Sequence, residues 1–177
     1  MTSVDCVRCK FGRPNGQRCK RRTCIRKDYC WQHLRSRLGI DVRPSKLGPR
    51  SGLGLVAYKT FPKGSRVASY SGKIGPVSEA KNSQYAVSWT RGNVVNASST
   101  QHSVGRYANT CRGADKKRKR CKGNNVKLAR DFARKKINLK ATKQIKRGDE
   151  IFNTYGSGFR IVLSKSKHDM SRSALSI

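Results

Sequence analysis

Acidic residues are almost missing from this sequence: 9 Asp and Glu stand against 41 Lys and Arg, a formal charge of +32 over 177 residues. Glu79 and Glu150 are the only glutamates, and the acids are scattered apart from the adjacent Asp149 and Glu150. That argues against glycoside chemistry, which needs two carboxyl groups facing one bond. Histidine is scarce as well. His33 sits among cysteines, while His102 and His168 have no acidic or nucleophilic company, so nothing points to a hydrolytic triad. No apolar run approaches the ~18–20 residues that cross a membrane. The start MTSVDCVRCKFGRPNG lacks the apolar centre of a secretion signal, which predicts a chain that is neither secreted nor membrane-bound. With 35% hydrophobic residues the chain can bury one modest core. Any chemistry must run largely without an acid–base pair.

What the sequence has in excess is positive charge. Such an excess repels itself unless polyanions are near, so nucleic acid or chromatin is the expected neighbour, with no implication for sequence specificity. Sixteen glycines and few long apolar runs predict short strands and turns, hence a mainly β fold. Seven cysteines in a chain read as non-secreted are expected as metal ligands or reduced thiols and not as disulfides.

Three segments follow from composition: a basic Cys/His-rich module over 1–36 ending in a short helix at YCWQHLRS, a strand-rich domain over 37–160, and a Ser- and Lys-rich flexible tail over 161–177. Strands are predicted at Asp41–Arg43, Leu55–Lys59, Arg66–Ser71, Gln84–Trp89 and Val94–Ala97. Asn125–Ala129 and Lys136–Thr142 read as a hairpin across the turn ARDFAR. There Val126 and Leu128, and Ile137, Leu139 and Ala141, alternate with other residues at the period of a half-buried sheet. The run RGADKKRKRCKG ahead of it has no apolar periodicity and predicts an exposed loop.

The spacing Cys19-x4-Cys24-x5-Cys30-x2-His33, preceded by Cys6-x2-Cys9, is that of a zinc site. Zinc takes four soft or borderline ligands in a tetrahedron, and two residues three apart supply a pair from one backbone bend. A segment this short and polar has no core of its own, so metal would supply most of its folding free energy. GQRCKRRTCIRKDYCWQHL resembles small knuckles in proteins of large DNA viruses and some protists. That resemblance implies Cys9, Cys19, Cys30 and His33 as ligands, and the alternative set is Cys19, Cys24, Cys30 and His33. The alternative leaves Cys6, Cys9, Cys111 and Cys121 for a second, all-cysteine site.

Four motifs occur in order over Ser51–Gly156: SGLGLVA at Ser51–Ala57, Tyr70-Ser71-Gly72, GRYANTC with Arg106, Tyr107, Asn109 and Cys111 followed by Asn124-Asn125-Val126, and KRGDEIFNTYG with Glu150, Tyr155 and Gly156. The glycines of the first let backbone approach a ligand closely. The ordered set resembles the SET domain of protein-lysine methyltransferases, of a type seen in large DNA viruses. The resemblance implies small β-sheets around a pseudoknot, with the C-terminal segment threaded past Arg106–Cys111. It implies S-adenosylmethionine beside Gly52, Leu53, Gly54, Tyr70, Arg106, Tyr107, Asn109, Thr110 and Tyr155. A lysine channel would be walled by Tyr85, Trp89, Tyr107 and Asn153, and Tyr155 would be the catalytic residue. Tyr85 and Trp89, alternating with Ala86 and Ser88 on a strand, also suit a core-facing role.

The sequence departs from the family pattern in four places. Thr110 replaces a histidine after Asn109, and Asn153 stands where an aromatic is usual, which leaves methyl multiplicity open. The loop around KKRKR is lengthened. No cysteine follows Cys121, so a C-terminal zinc clip cannot form, and Phe159 or the tail must close the channel. The reading is an S-adenosylmethionine- and zinc-dependent methyltransferase acting on histone or another lysine-rich, chromatin-like protein. It would work in the nucleus or in a viral factory, held to nucleic acid or nucleosomes by KKRKR and the knuckle. The alternative is a catalytically weak or inactive SET-fold protein that binds nucleic acid or chromatin; a third reading is a ribosomal or other non-histone substrate.

Overall fold

The computed structural model describes residues 6–24, 28–80, 83–99, 103–112, 117 and 119–154. The chain divides into two units, Met1–Ser71 with Ser99–Thr154, and Gly72–Ser98 with Tyr155–Ile177.

The first unit opens with a two-stranded ribbon, β1 (Val7–Arg8) and β2 (Arg22–Thr23), paired antiparallel with Val7 opposite Thr23. That register sets Cys6 against Cys24, and the two form a disulfide. A second disulfide joins Cys111 and Cys121, buried beside Leu47 and Phe152. Both overturn the expectation of reduced or metal-bound thiols, because strand register and loop closure, not compartment, decide which sulfurs meet. Arginines knit the ribbon as well: Arg8 donates to the Cys19 and Arg18 carbonyls (both 3.0 Å), and Arg18 donates back to Cys9 (2.9 Å) and Arg8 (2.8 Å).

Helix α1 (Trp31–Leu38) follows, two residues further on than YCWQHLRS suggests. It stops at Gly39, whose left-handed φ of 67° lets its N–H donate to Arg35 O at 2.9 Å. A side chain at Gly39 would also strike the Lys59 methylenes, 2.4 Å from a Cβ there.

Two three-stranded sheets carry the core. In one, β4 (Leu53–Ala57) lies between β3 (Ile40–Pro44) and β11 (Glu150–Ile151). In the other, β10 (Lys136–Ala141) lies between β5 (Arg66–Tyr70) and β9 (Val126–Asp131). β4 is central and buried from Gly54 onward, whereas β10 alternates, with Ile137, Leu139 and Ala141 buried. The expected hairpin forms, but β9 runs on through Asp131 and the turn tightens to residues 132–135. Asp131 Oδ1 accepts the Arg134 N–H at 3.1 Å, closing that turn. One apolar cluster, including Leu34, Ile40, Leu55, Val67, Leu139 and Ile151, joins helix and both sheets.

The second unit contains one sheet, β6 (Lys73–Pro76) and β7 (Ala86–Thr90) flanking β8 (Asn93–Asn96), with its own small cluster of Ala80, Ala86 and Val94. Gly72 is required there: a Cβ would lie 2.2 Å from the Asn96 carbonyl oxygen.

Candidate functional site

In the N-terminal module Cys9, Cys19, Cys30 and His33 converge, their ligand atoms all within 4.8 Å of one another. Cys9 Sγ and Cys30 Sγ lie 3.5 and 3.4 Å from His33 Nδ1. Zinc bonds of ~2.3 Å to sulfur and ~2.0–2.1 Å to nitrogen give a tetrahedral S···N edge of about 3.5 Å, so the donor set fits that ion. The imidazole plane is held by stacking on Phe11, centroids 3.8 Å apart. Burial, then the Arg21, Arg13 and Arg37 guanidiniums, pull the His33 pKa below its usual value, favouring the neutral, metal-binding form. Cys24 is not in this group. It is bonded to Cys6, which also removes the proposed second site, since Cys9 is in the cluster and Cys111 is bonded to Cys121.

The second convergence lies where the C-terminal strand crosses the molecule's first unit. β11 pairs with β4, Ile151 opposite Leu55. The chain then leaves that sheet: Phe152 O accepts the Asn125 and Val126 N–H groups at 2.9 and 3.1 Å, and Asn153 N donates to Asn109 O at 2.8 Å. Asn125 clamps the same segment with its side chain, donating to Glu150 O (2.9 Å) and accepting from Phe152 N (2.8 Å). Residues 150–153 thus pass between β4 on one side and Asn109 and Asn125 on the other.

Glu150 organises this crossing. Its carboxylate is 3% exposed and accepts from Ser45 Oγ at 2.6 Å, Lys46 N at 2.7 Å and Asn109 Nδ2 at 3.5 Å. Asn109 Nδ2 also donates to Leu53 O at 3.0 Å, tying GRYANTC to the glycine turn. The two glycines of that turn have different duties. Gly52 has φ +59° and faces open space, with nothing within 4 Å of a Cβ. Gly54 instead makes room for Glu150, whose Oε1 would be 2.3 Å from a Cβ. Glycine-based approach to a ligand therefore rests on Gly52, and Gly54 serves the carboxylate. Glu150 is marked in the sequence by its place in KRGDEIFNTYG, but nothing there marks Ser45 or Lys46, 105 and 104 positions away.

The remaining expected residues are distributed as follows. Tyr70 is buried on β5 opposite Ile137. Arg106 and Tyr107 are buried in a 3-10 turn, Val104–Tyr107, with the guanidinium 5.5 Å from the Tyr107 ring centre. Two buried oxygens flank Asn109 in the chain and across the crossing: Thr110 Oγ1 and Asn153 Oδ1 have no hydrogen-bond partner among the described residues. Tyr85 and Trp89 belong to the second unit, Trp89 buried on β7. Tyr155, Gly156, Phe159 and the tail lie outside the described residues, as do Lys116 and Arg118 of the KKRKR run.

The family model of the SET domain matches residues 52–156. The chain belongs to the SET-domain family. Its fold is the SET fold, and the crossing of residues 150–153 is the knot-like element expected of it. The chain is similar to the methyltransferase domain of human PR domain-containing protein 2 (20% identity, TM-score 0.53, 71% of this chain and 84% of that one). It is also similar to a humanised Chaetomium thermophilum Polycomb Repressive Complex 2 bound to an inhibitor (22%, TM-score 0.56, 71% and 16%). A third likeness is to KRYPTONITE in complex with mCHG DNA and SAH (17%, TM-score 0.51, 68% and 24%). This SET-domain chain therefore spans most of the human domain but a minor share of the other two. No curated protein matches it by sequence.

Proposed function

We propose that this protein is an S-adenosylmethionine-dependent protein-lysine N-methyltransferase acting on histone or another lysine-rich, chromatin-like protein. The observation that carries the reading is the crossing itself. Leu53, Asn109, Glu150 and Asn153 are joined by hydrogen bonds, so the open Gly52 turn, GRYANTC and the residues leading to Tyr155 share one place. Two buried, unpartnered oxygens there, on Thr110 and Asn153, suit a polar ligand. When bound, S-adenosylmethionine supplies a methyl group already activated on a sulfonium. Gly52, Leu53, Tyr70, Arg106, Tyr107, Asn109 and Thr110 would hold it, with Gly54 keeping Glu150 in position. Tyr155 would orient the neutral lysine amine through its hydroxyl, and Tyr107 and Asn153 would line the lysine's approach. Alignment and desolvation, not a strong acid, then carry the rate, which suits a chain so poor in carboxylates. Zinc on Cys9, Cys19, Cys30 and His33 would hold the N-terminal module together.

The basic surface favours a chromatin-bound target, nucleic acid presenting the lysine-rich tail that the enzyme itself would repel. The nucleus or a viral factory would be the compartment. Radiolabelled methyl transfer to histones and nucleosomes, comparing wild type with Tyr155→Phe, tests the assignment. Label on wild type alone is expected; equal labelling removes Tyr155 from its role. Thr110 and Asn153, standing where the family pattern has a histidine and an aromatic, favour a second reading as a non-catalytic chromatin-binding SET protein. Calorimetry showing no S-adenosylmethionine binding would select that reading.

A further inference from the structure

A groove of about 460 Å³ in the first unit lies apart from the crossing, between the zinc module's helix and β5. Four cations line it from four elements: Arg37 on α1, Lys59 after β4, Arg66 on β5 and Lys136 on β10. All four are exposed, and among the described residues none has a carboxylate partner. The one acid on the lining, Asp28, is already 3.0 Å from Lys10 Nζ. The floor is apolar, made by the buried Leu34, Phe61, Val67 and Val104, with Lys59 Nζ 5.3 Å over the Phe61 ring. The apolar surface open to a ligand is half-buried Tyr29 and 40% exposed Leu38 at its side. Ser71 and Ser103 also line it, each hydroxyl accepting the other's backbone N–H at 3.3 and 2.7 Å.

We propose that this groove binds single-stranded nucleic acid, with backbone phosphates on Arg37, Lys59, Arg66 and Lys136 and unpaired bases against Tyr29 and Leu38 at its apolar side. A cationic rim alone would suit any polyanion. The apolar side narrows the choice, because a duplex keeps its bases stacked inside and offers only phosphates, whereas a single strand supplies flat apolar faces as well. The ribbon arginines are poor candidates for the same task, since Arg8 and Arg18 already commit their donors to backbone carbonyls. The proposal is independent of methyl transfer, because binding alone reads it.

The test is fluorescence polarisation of the full chain with a labelled single-stranded oligonucleotide across a salt series. Neutralising two groove cations (Arg66→Gln with Lys136→Gln) should weaken binding about tenfold. It should also flatten the log K against log salt slope by about 1.4, at ~0.7 for each phosphate no longer neutralised. The same charge change at Lys63 and Lys143, exposed and off the groove, should cost far less. Leu38→Ser should lower affinity severalfold with the slope unchanged, since it removes an apolar surface and no charge. Zinc content equal to wild type in each variant shows that the fold is kept. Equal losses for groove and control pairs would overturn the proposal. So would duplex DNA bound as tightly as the single strand with the same sensitivity to the groove variants, or polyglutamate competing as well as the oligonucleotide.

Discussion

Gly54→Ala isolates the reason for the second glycine in the turn. A Cβ there would stand 2.3 Å from Glu150 Oε1, 2.8 Å from its Cδ and 3.3 Å from Ser45 Cα. The carboxylate would have to retreat by about 0.7 Å to reach even a 3.0 Å contact, and its bonds from Ser45 Oγ (2.6 Å) and Lys46 N (2.7 Å) prevent that without loss. Giving up one hydrogen bond to a buried charged group costs about 1.5–3 kcal/mol. For a chain of this length each kcal/mol lowers Tm by about 2–4 °C, so a drop of about 3–12 °C is expected in thermal unfolding followed by circular dichroism. The decisive arm is a double-mutant cycle. In a Glu150→Ala background the carboxylate is gone, and Gly54→Ala should then cost less than about 0.5 kcal/mol beyond the first change. The same penalty in both backgrounds would refute the reasoning. So would undiminished stability with lost S-adenosylmethionine affinity, which would return Gly54 to direct cofactor approach.

Four further outcomes follow from the geometry. Denatured, chelated protein should titrate 3 thiols before reduction, those of Cys9, Cys19 and Cys30. One zinc per chain should survive Cys24→Ser and be lost in Cys9→Ser by metal analysis. Burial would raise the Asp41 carboxyl, but Arg35, the Val42 N–H and Arg43 outweigh it and hold its pKa below the usual range. Its stabilisation is therefore present above the unfolded carboxylate pKa of ~3.9 and lost as pH falls through the lower folded value. Asp41→Asn should cost about 2 kcal/mol at neutral pH, less than a fully buried pair because Arg43 is 47% exposed. It should also remove that acid-range slope in urea unfolding followed against pH. Gly105→Ala would press a Cβ to 2.3 Å from the Ser69 carbonyl oxygen, a backbone atom that cannot rotate away. About 1–3 kcal/mol of destabilisation is expected, and unchanged stability would show that the Val104–Tyr107 turn shifts freely.

The strands legible in the sequence are those with their own burial pattern. Ile137, Leu139 and Ala141 alternate because β10 has one buried face, and β4 reads as a continuous apolar run because neighbours cover both sides. β6 and β11 escape such a reading. Each is short, and β11, two residues containing a glutamate, has no periodicity to read. Its place comes from β4 alongside it and from the side chains that receive Glu150. The disulfides are illegible for a similar reason: Cys6 and Cys24 meet only through the pairing of Val7 with Thr23.

By itself the sequence determined family, charge and the stock of ligands, because ordered motifs, a deficit of acids and cysteine spacing are properties of the chain read in order. Only the tertiary structure decided which cysteines share a metal cluster, that Gly54 yields its space to Glu150, and that four cations from distant segments line one groove. Those are matters of proximity between residues tens of positions apart. Proximity is set by sheet register and core packing, which no local stretch of sequence encodes.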